Sequence, residues 1–155
     1  MFHNKILSEL INISYEAGVL IMDIYNKKFK VNHKDDNSPV TEADRIAEEF
    51  ILKRLNNIFP NIPIISEEAY SNKFIPNYDT KFFLVDPLDG TKEFIKKNDE
   101  FTVNIAFIDK GFTKIGFINA PAKNKIFFND EKKSYTIETK SKNQILIQKA
   151  KQIKV

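Results

Sequence analysis

The chain has no cysteine and no tryptophan among its 155 residues, and only two arginines, Arg45 and Arg54. Without thiols there is no disulfide framework, no cysteine nucleophile and no Cys-ligated zinc or iron–sulfur site. Apolar runs extend only a few residues, far short of the ~20 needed to cross a bilayer, so no membrane insertion is expected. Met1-Phe2-His3-Asn4-Lys5 lacks the apolar segment of a secretory signal. A cytoplasmic protein is the expectation, with peripheral attachment at the inner face of the cell membrane as the alternative. What remains is ordinary for a globular protein: 42% apolar and 29% charged residues, which excludes a disordered chain. A chain of this length fits one domain, or one domain plus part of another, and buries roughly 68–70% of its unfolded surface, enough for a real core.

Charge is unevenly placed. From Met1 to Asp109 there are 13 Lys/Arg against 18 Asp/Glu, and from Lys110 to Val155 there are 11 against 3. A basic nucleic-acid-binding tail behind an acidic domain is one reading of this split. The scarcity of arginine, the residue suited to bidentate phosphate and base contacts, argues for a lysine-rich solvated surface instead. No nucleic-acid partner is expected.

Periodicity predicts an α+β layered domain. Ile6, Leu7, Leu10, Ile11, Ser14, Ala17, Leu20 (or Ile21) and Ile24 form one apolar stripe, predicting a helix over Lys5–Tyr25, with Gly18 marking close packing. A short strand is expected at Phe29–Val31, then a polar stretch from Asn32 to Asn37. Ser38-Pro39-Val40 enters a second helix whose buried face is Ala43, Ile46, Ala47, Phe50, Ile51, Leu55 and Ile58, and Pro60 stops it. Strand-type runs follow at Ile62–Ile65, Phe82–Val85, Phe101–Ile108, Phe112–Ile118, Ile126–Phe128, Tyr135–Glu138 and Ile145–Ile147. Asp109-Lys110-Gly111 reads as a hairpin turn. Two helices followed by many mostly antiparallel strands make a layered αβ arrangement.

Chemistry concentrates in Asp86-Pro87-Leu88-Asp89-Gly90-Thr91. Phe82 to Val85 lead a buried strand straight into Asp86, where desolvating a carboxylate is costly unless it is paired or metal-bound. Pro87 and Gly90 shape a turn able to aim Asp86 and Asp89 at one point. Two carboxylates and the Leu88 carbonyl are hard oxygen donors of the kind magnesium takes. Amides near Gly90 and Thr91 would favour a phosphate oxygen if they open a helix. A plain surface turn is the competing reading. Ser66-Glu67-Glu68 likewise ends a strand in carboxylates, or simply starts a helix where negative charge suits the dipole. Thr41 with Asp44 three residues on is either part of a site or a capping box.

Taken in order, Ser38-Pro39-Val40-Thr41-Glu42-Ala43-Asp44, Ile65-Ser66-Glu67-Glu68 and Leu84-Val85-Asp86-Pro87-Leu88-Asp89-Gly90-Thr91-Lys92-Glu93-Phe94 resemble the signatures of the inositol monophosphatase-like, lithium-sensitive phosphatases. Lys92-Glu93-Phe94-Ile95 and Glu100-Phe101-Thr102-Val103-Asn104 look most like the 3′(2′),5′-bisphosphate nucleotidase branch, where inositol monophosphatases proper carry Thr-Asn-Phe. The resemblance implies the N-terminal part of a layered αβαβα sandwich. It implies Mg2+ held by Glu67, Asp86, Asp89 and the Leu88 carbonyl, and a small phosphorylated nucleotide, 3′-phosphoadenosine 5′-phosphate, as substrate. Glu67 and Leu88 to Thr91 would contact the phosphate. Thr91 and Asp44 would orient and deprotonate the attacking water, with Glu67 a third catalytic residue. His3 and His33 match no family position and read as surface residues.

The sequence also departs from that family. Its members are longer, and their C-terminal half supplies another metal-binding Asp in a Trp-Asp-x-Ala motif. Here the only Asp after Asp109 is Asp130, in a lysine-rich turn region. The expectation is a single N-terminal subdomain over residues 1–155, poorly active alone, that associates with a separate C-terminal half or with itself. A non-catalytic remnant that keeps the metal-binding turn is the alternative function.

Overall fold

Burial at three- and four-residue steps builds the first layer. In the computed structural model, which describes residues 2–34, 39–71, 80–139 and 150–154, helix α1 (Phe2–Tyr25) sinks Ile6, Leu10, Ile13, Ala17, Ile21 and Tyr25 into the core. Of the two alternatives Leu20 and Ile21 it is Ile21 that is buried, and Ile13, outside the predicted stripe, is buried as well. Helix α2 (Glu42–Ile58) buries Ala43, Ala47, Ile51 and Leu55 and packs along α1. Gly18 is the close approach its position suggests. A Cβ there would lie 2.5 Å from Asn119 Nδ2 and 3.0 Å from Pro121 Cβ.

A two-stranded antiparallel sheet, β1 (Val31–His33) with β2 (Pro39–Thr41), lies between the helices in sequence. The first strand therefore begins at Val31 and not at Phe29. Phe29 is drawn instead onto the Phe94 ring, 4.9 Å between centroids, and under the Lys97 ammonium at 4.7 Å. His33 is exposed, as expected; the His3 side chain, Ser38 and the predicted strand Ile145–Ile147 lie outside the residues described.

The second layer is a seven-stranded sheet in the order β3-β4-β5-β6-β7-β8-β9. Its strands are β3 (Ile64–Ser66), β4 (Lys81–Asp89), β5 (Thr102–Asp109), β6 (Phe112–Ala120), β7 (Lys125–Asn129), β8 (Ser134–Glu138) and β9 (Lys151–Ile153). Every pairing is antiparallel except β3 with β4. The β3 strand starts at Ile64 and not Ile62 because Pro63 has no N–H to donate; its carbonyl accepts from Phe83 N at 2.8 Å. Lys110 and Gly111, both at positive φ (51° and 79°), close the β5–β6 hairpin.

Strand alternation divides the sheet's faces. Phe83, Val85, Val103, Ile105, Phe107, Ile115 and Phe117 point into the helix layer and are essentially fully buried. On the opposite face Leu84, Ile118 and Phe127 are 46%, 50% and 37% exposed, and together with Tyr70 they border an apolar depression of about 750 Å³. The fold is thus an α+β structure with one helical layer over one face of the sheet. No helix among the described residues is long and apolar enough to cross a membrane.

Candidate active site

The acidic motif is not the simple turn that its Pro, Asp and Gly suggest. β4 continues through Asp86, Pro87, Leu88 and Asp89. Asp86 lies opposite Asn104 and Asp89 opposite Thr102, so β4 carries one extra residue there, a bulge. A bulge accommodates Pro87, which cannot donate to the ladder. The chain then turns at Gly90, whose φ of +88° and 2.8 Å approach of a would-be Cβ to the Glu100 carbonyl both require glycine. Thr91 opens the short helix α4 (Thr91–Lys96), which sequence periodicity does not reveal because it has six residues and no side-chain cap.

Phe94 anchors α4 between Tyr25, Phe29 and Phe101, with ring centroids 5.1, 4.9 and 5.1 Å away. Lys97, at φ +60°, donates to the Tyr25 carbonyl at the end of α1, and its ammonium stands 4.0 Å over the Tyr25 ring. Tyr25 in turn donates to Asp99 Oδ1 at 2.7 Å. The element carrying Thr91 is therefore fixed at its far end to α1.

These constraints bring most of the expected residues to one cleft of about 340 Å³. Glu67, Asp86, Leu88, Asp89, Gly90 and Thr91 line it, together with Lys34. Glu67, at the end of β3, also begins helix α3 (Glu67–Ser71), so both readings of Ser66-Glu67-Glu68 hold; the Glu68 side chain is outside the described set. Asp44 sits behind the cleft, 1% exposed. Thr91 Oγ1 donates to Asp44 Oδ1 at 3.0 Å and stands 3.3 Å from the Leu88 carbonyl. Thr41 caps α2, so the capping-box reading of Thr41 and Asp44 holds.

Electrostatics mark the same place. Burial first, then the charges of Asp89 and Glu67, push the Asp86 carboxyl up to about 6; the Leu88 N–H pulls it down and Asp44 adds a smaller push upward. A carboxyl crowded by neighbouring carboxylates, as Asp86 is, is relieved by a cation beside it, and this donor set, carboxylate and carbonyl oxygen only, fits a hard divalent ion. Among the described residues no three acidic or imidazole side chains close tightly enough to enclose a metal by themselves.

Two hydrogen-bond partners of the cleft carboxylates were given no role from sequence, Lys34 in the cleft lining and Asn104 outside it. Lys34 Nζ lies 3.2 and 3.4 Å from the two carboxylate oxygens of Glu67. Asn104 Nδ2 donates to Asp89 Oδ2 at 3.2 Å. Asn104 was detectable in principle, because strand alternation on β5 puts it on the face of Asp86. Nothing in the local pattern around Lys34 indicates its partner.

Comparison with known proteins places the chain among relatives of one family. A model of the inositol monophosphatase family matches residues 4–154. The chain is 40% identical over 147 residues to the 3′(2′),5′-bisphosphate nucleotidase CysQ of Escherichia coli (strain K12), covering 94% of this chain and 60% of that protein. Its identity to the protein of the same name from Buchnera aphidicola is 48% over 120 residues, 76% of this chain and 45% of that one. Among solved structures, CysQ from Bacteroides thetaiotaomicron superimposes with a TM-score of 0.74 at 33% identity, covering 99% of this chain and 58% of that one. The chain thus spans about half to three-fifths of the length of these relatives. On a family model that matches nearly the whole chain and these identities, the chain belongs to the inositol monophosphatase family, whose members are metal-dependent phosphatases.

Proposed function

We propose that this chain carries the acidic part of a magnesium-dependent phosphomonoesterase that converts 3′-phosphoadenosine 5′-phosphate to AMP and phosphate. The observation that carries this reading is the single cleft lined by Glu67, Asp86, Leu88, Asp89, Gly90 and Thr91, with Asp44 hydrogen-bonded behind Thr91. Glu67, Asp86, Asp89 and the Leu88 carbonyl would hold Mg2+. When bound, the ions supply Lewis-acid polarisation of the phosphate and a more acidic water. Leu88 to Thr91 border the position of the substrate phosphate, with Glu67 facing them across the cleft.

The protein's own step is proton handling. Thr91 Oγ1 donates a hydrogen bond to Asp44 Oδ1, which leaves its lone pairs facing the cleft to accept from the attacking water; as the water attacks, its proton passes to Thr91 Oγ1 and the Thr91 proton to Asp44, the net acceptor. A water oriented in this way attacks phosphorus directly, and no covalent phosphoenzyme is needed. Lys92 and Glu93 flank this turn and support a nucleotide over an inositol phosphate. Nucleotidase relatives at 40% and 48% identity support the same choice.

A second reading concerns completeness. The exposed Leu84, Ile118 and Phe127 face supports a single subdomain that works only when another chain, a C-terminal half or a second copy, covers that face. Phosphate release is the test for both. The purified chain is assayed with 3′-phosphoadenosine 5′-phosphate and inositol 1-phosphate, in magnesium and in EDTA, alone and co-expressed with the C-terminal half of a curated relative. The expected result is a magnesium-dependent preference for the nucleotide and a rise of orders of magnitude on co-expression. Preference for inositol 1-phosphate overturns the substrate. Full activity of a monomer overturns the second reading.

A further inference from the structure

We propose that the Thr41 hydroxyl is a positioning group that holds Asp44 so that the Thr91 proton is directed to Asp44 and not to the Leu88 carbonyl. This rests on the reading of Asp44 and Thr91 as the water-activating pair. Thr41 and Asp44 are 3% and 1% exposed, so neither exchanges its partners with solvent. Asp44 Oδ2 accepts twice from the same residue, from Thr41 N at 2.7 Å and from Thr41 Oγ1 at 2.6 Å. The Thr41 oxygen itself accepts from Ala43 N at 3.2 Å, so its one proton is committed to Asp44. Thr41 is further held by its pairing with Val31 across the β1–β2 sheet.

With Oδ2 filled by two donors, the carboxylate plane is set and Oδ1 faces Thr91. Thr91 has one proton and two acceptors in reach, Asp44 Oδ1 at 3.0 Å and the Leu88 carbonyl at 3.3 Å. A carboxylate held in place is the stronger acceptor. If Asp44 turns away, the proton passes to Leu88, which removes the relay and occupies a lone pair on a carbonyl proposed as a metal ligand. Thr41 thus acts at a distance from substrate, and a capping role alone would not produce this coupling.

A double-mutant cycle separates the two roles, because groups in one hydrogen-bond network are non-additive. Urea midpoints are measured for Thr41→Val, Thr91→Val and the pair. Thr41→Gly is run in parallel, since glycine is tolerated at an N-cap and that variant folds even where valine does not. The expected result is that Thr91→Val shifts the midpoint in the wild-type background and much less once the Thr41 hydroxyl is gone, with Thr41→Ser restoring the wild-type response. Hydrolysis by the same variants should show a loss of about tenfold or more in kcat with KM changed less than about twofold. Equal shifts of the midpoint in both backgrounds, for both Thr41 variants, overturn the proposal. A wild-type chain without phosphatase activity but with the coupling intact counts against the function while supporting the clamp.

Discussion

Replacing Asp86 by asparagine isolates the charge at the centre of the cleft. Asparagine keeps the side-chain size and an oxygen for the Leu88 N–H, and removes the negative charge that burial, Asp89 and Glu67 disfavour. A carboxyl at about 6 in the folded chain and near its ordinary 3.8 when unfolded binds its proton more tightly in the native state. Between those values the native state carries more protons, so stability falls as pH rises from ~4 through ~6 and is fully reduced above that. The gap sets a ceiling of about 3 kcal/mol. Because Asp86 is only partly buried, solvent screening reduces this to roughly 1–2 kcal/mol. Asp86→Asn should therefore raise Tm by about 2–8 °C at pH 7.5 in EDTA and leave it unchanged near pH 4. Saturating magnesium should reverse the order. The wild type gains about 2.7 kcal/mol at one hundred times its dissociation constant, whereas the variant, short of one donor charge, gains much less. Thermal unfolding at pH 4, 6 and 7.5 with EDTA or magnesium measures all of this. A variant destabilised at every pH in EDTA, or one that responds to magnesium as the wild type does, refutes the reasoning.

Gly18→Ala should cost about 1–3 kcal/mol in urea unfolding, because its Cβ meets Asn119 Nδ2, itself committed to the Ser14 carbonyl at 2.6 Å; unchanged stability would mean the helix–sheet spacing is looser than described. Gly90→Ala, strained at φ +88° and pressed against the Glu100 carbonyl, should destabilise by about 1–3 kcal/mol and lower any phosphate release, and a fully stable, active variant would contradict that geometry. Leu84→Lys with Ile118→Lys should shift the chain towards monomer in sedimentation velocity, and a wild type already monomeric at the same concentration would show that the open face does not drive association.

Much of the site was legible because its residues lie on elements with strong local signals. The 3.6-residue stripe located α1 and α2, and short apolar runs located six of the sheet's strands. Asp44 and Glu67 each looked like a helix-start residue and proved to be one, while Glu67 also lines the cleft and Asp44 bonds Thr91 from behind it; a capping carboxylate has a second oxygen, and only its neighbours in space decide what that oxygen faces. The bulge after Asp86 had no signature beyond Pro87. The parallel pairing of β3 with β4, which sets Glu67 beside Asp86, depends on a crossover between strands 14 residues apart, from Ser66 to Lys81.

The amino-acid order alone picked out the candidate residues: hard oxygen donors at strand ends, a glycine where no other residue fits, and apolar periodicities that place them at the rim of one layer. It also carried the family motifs in order. Only the tertiary structure decided that Thr91 Oγ1 meets Asp44 across 47 positions of sequence at 3.0 Å, that Lys34 bonds Glu67 and that Asn104 bonds Asp89. Such contacts join residues whose local patterns are independent of one another. They exist because α1 and α2 press one face of the sheet and Phe94 locks α4 against α1, a packing outcome that no short window of sequence contains.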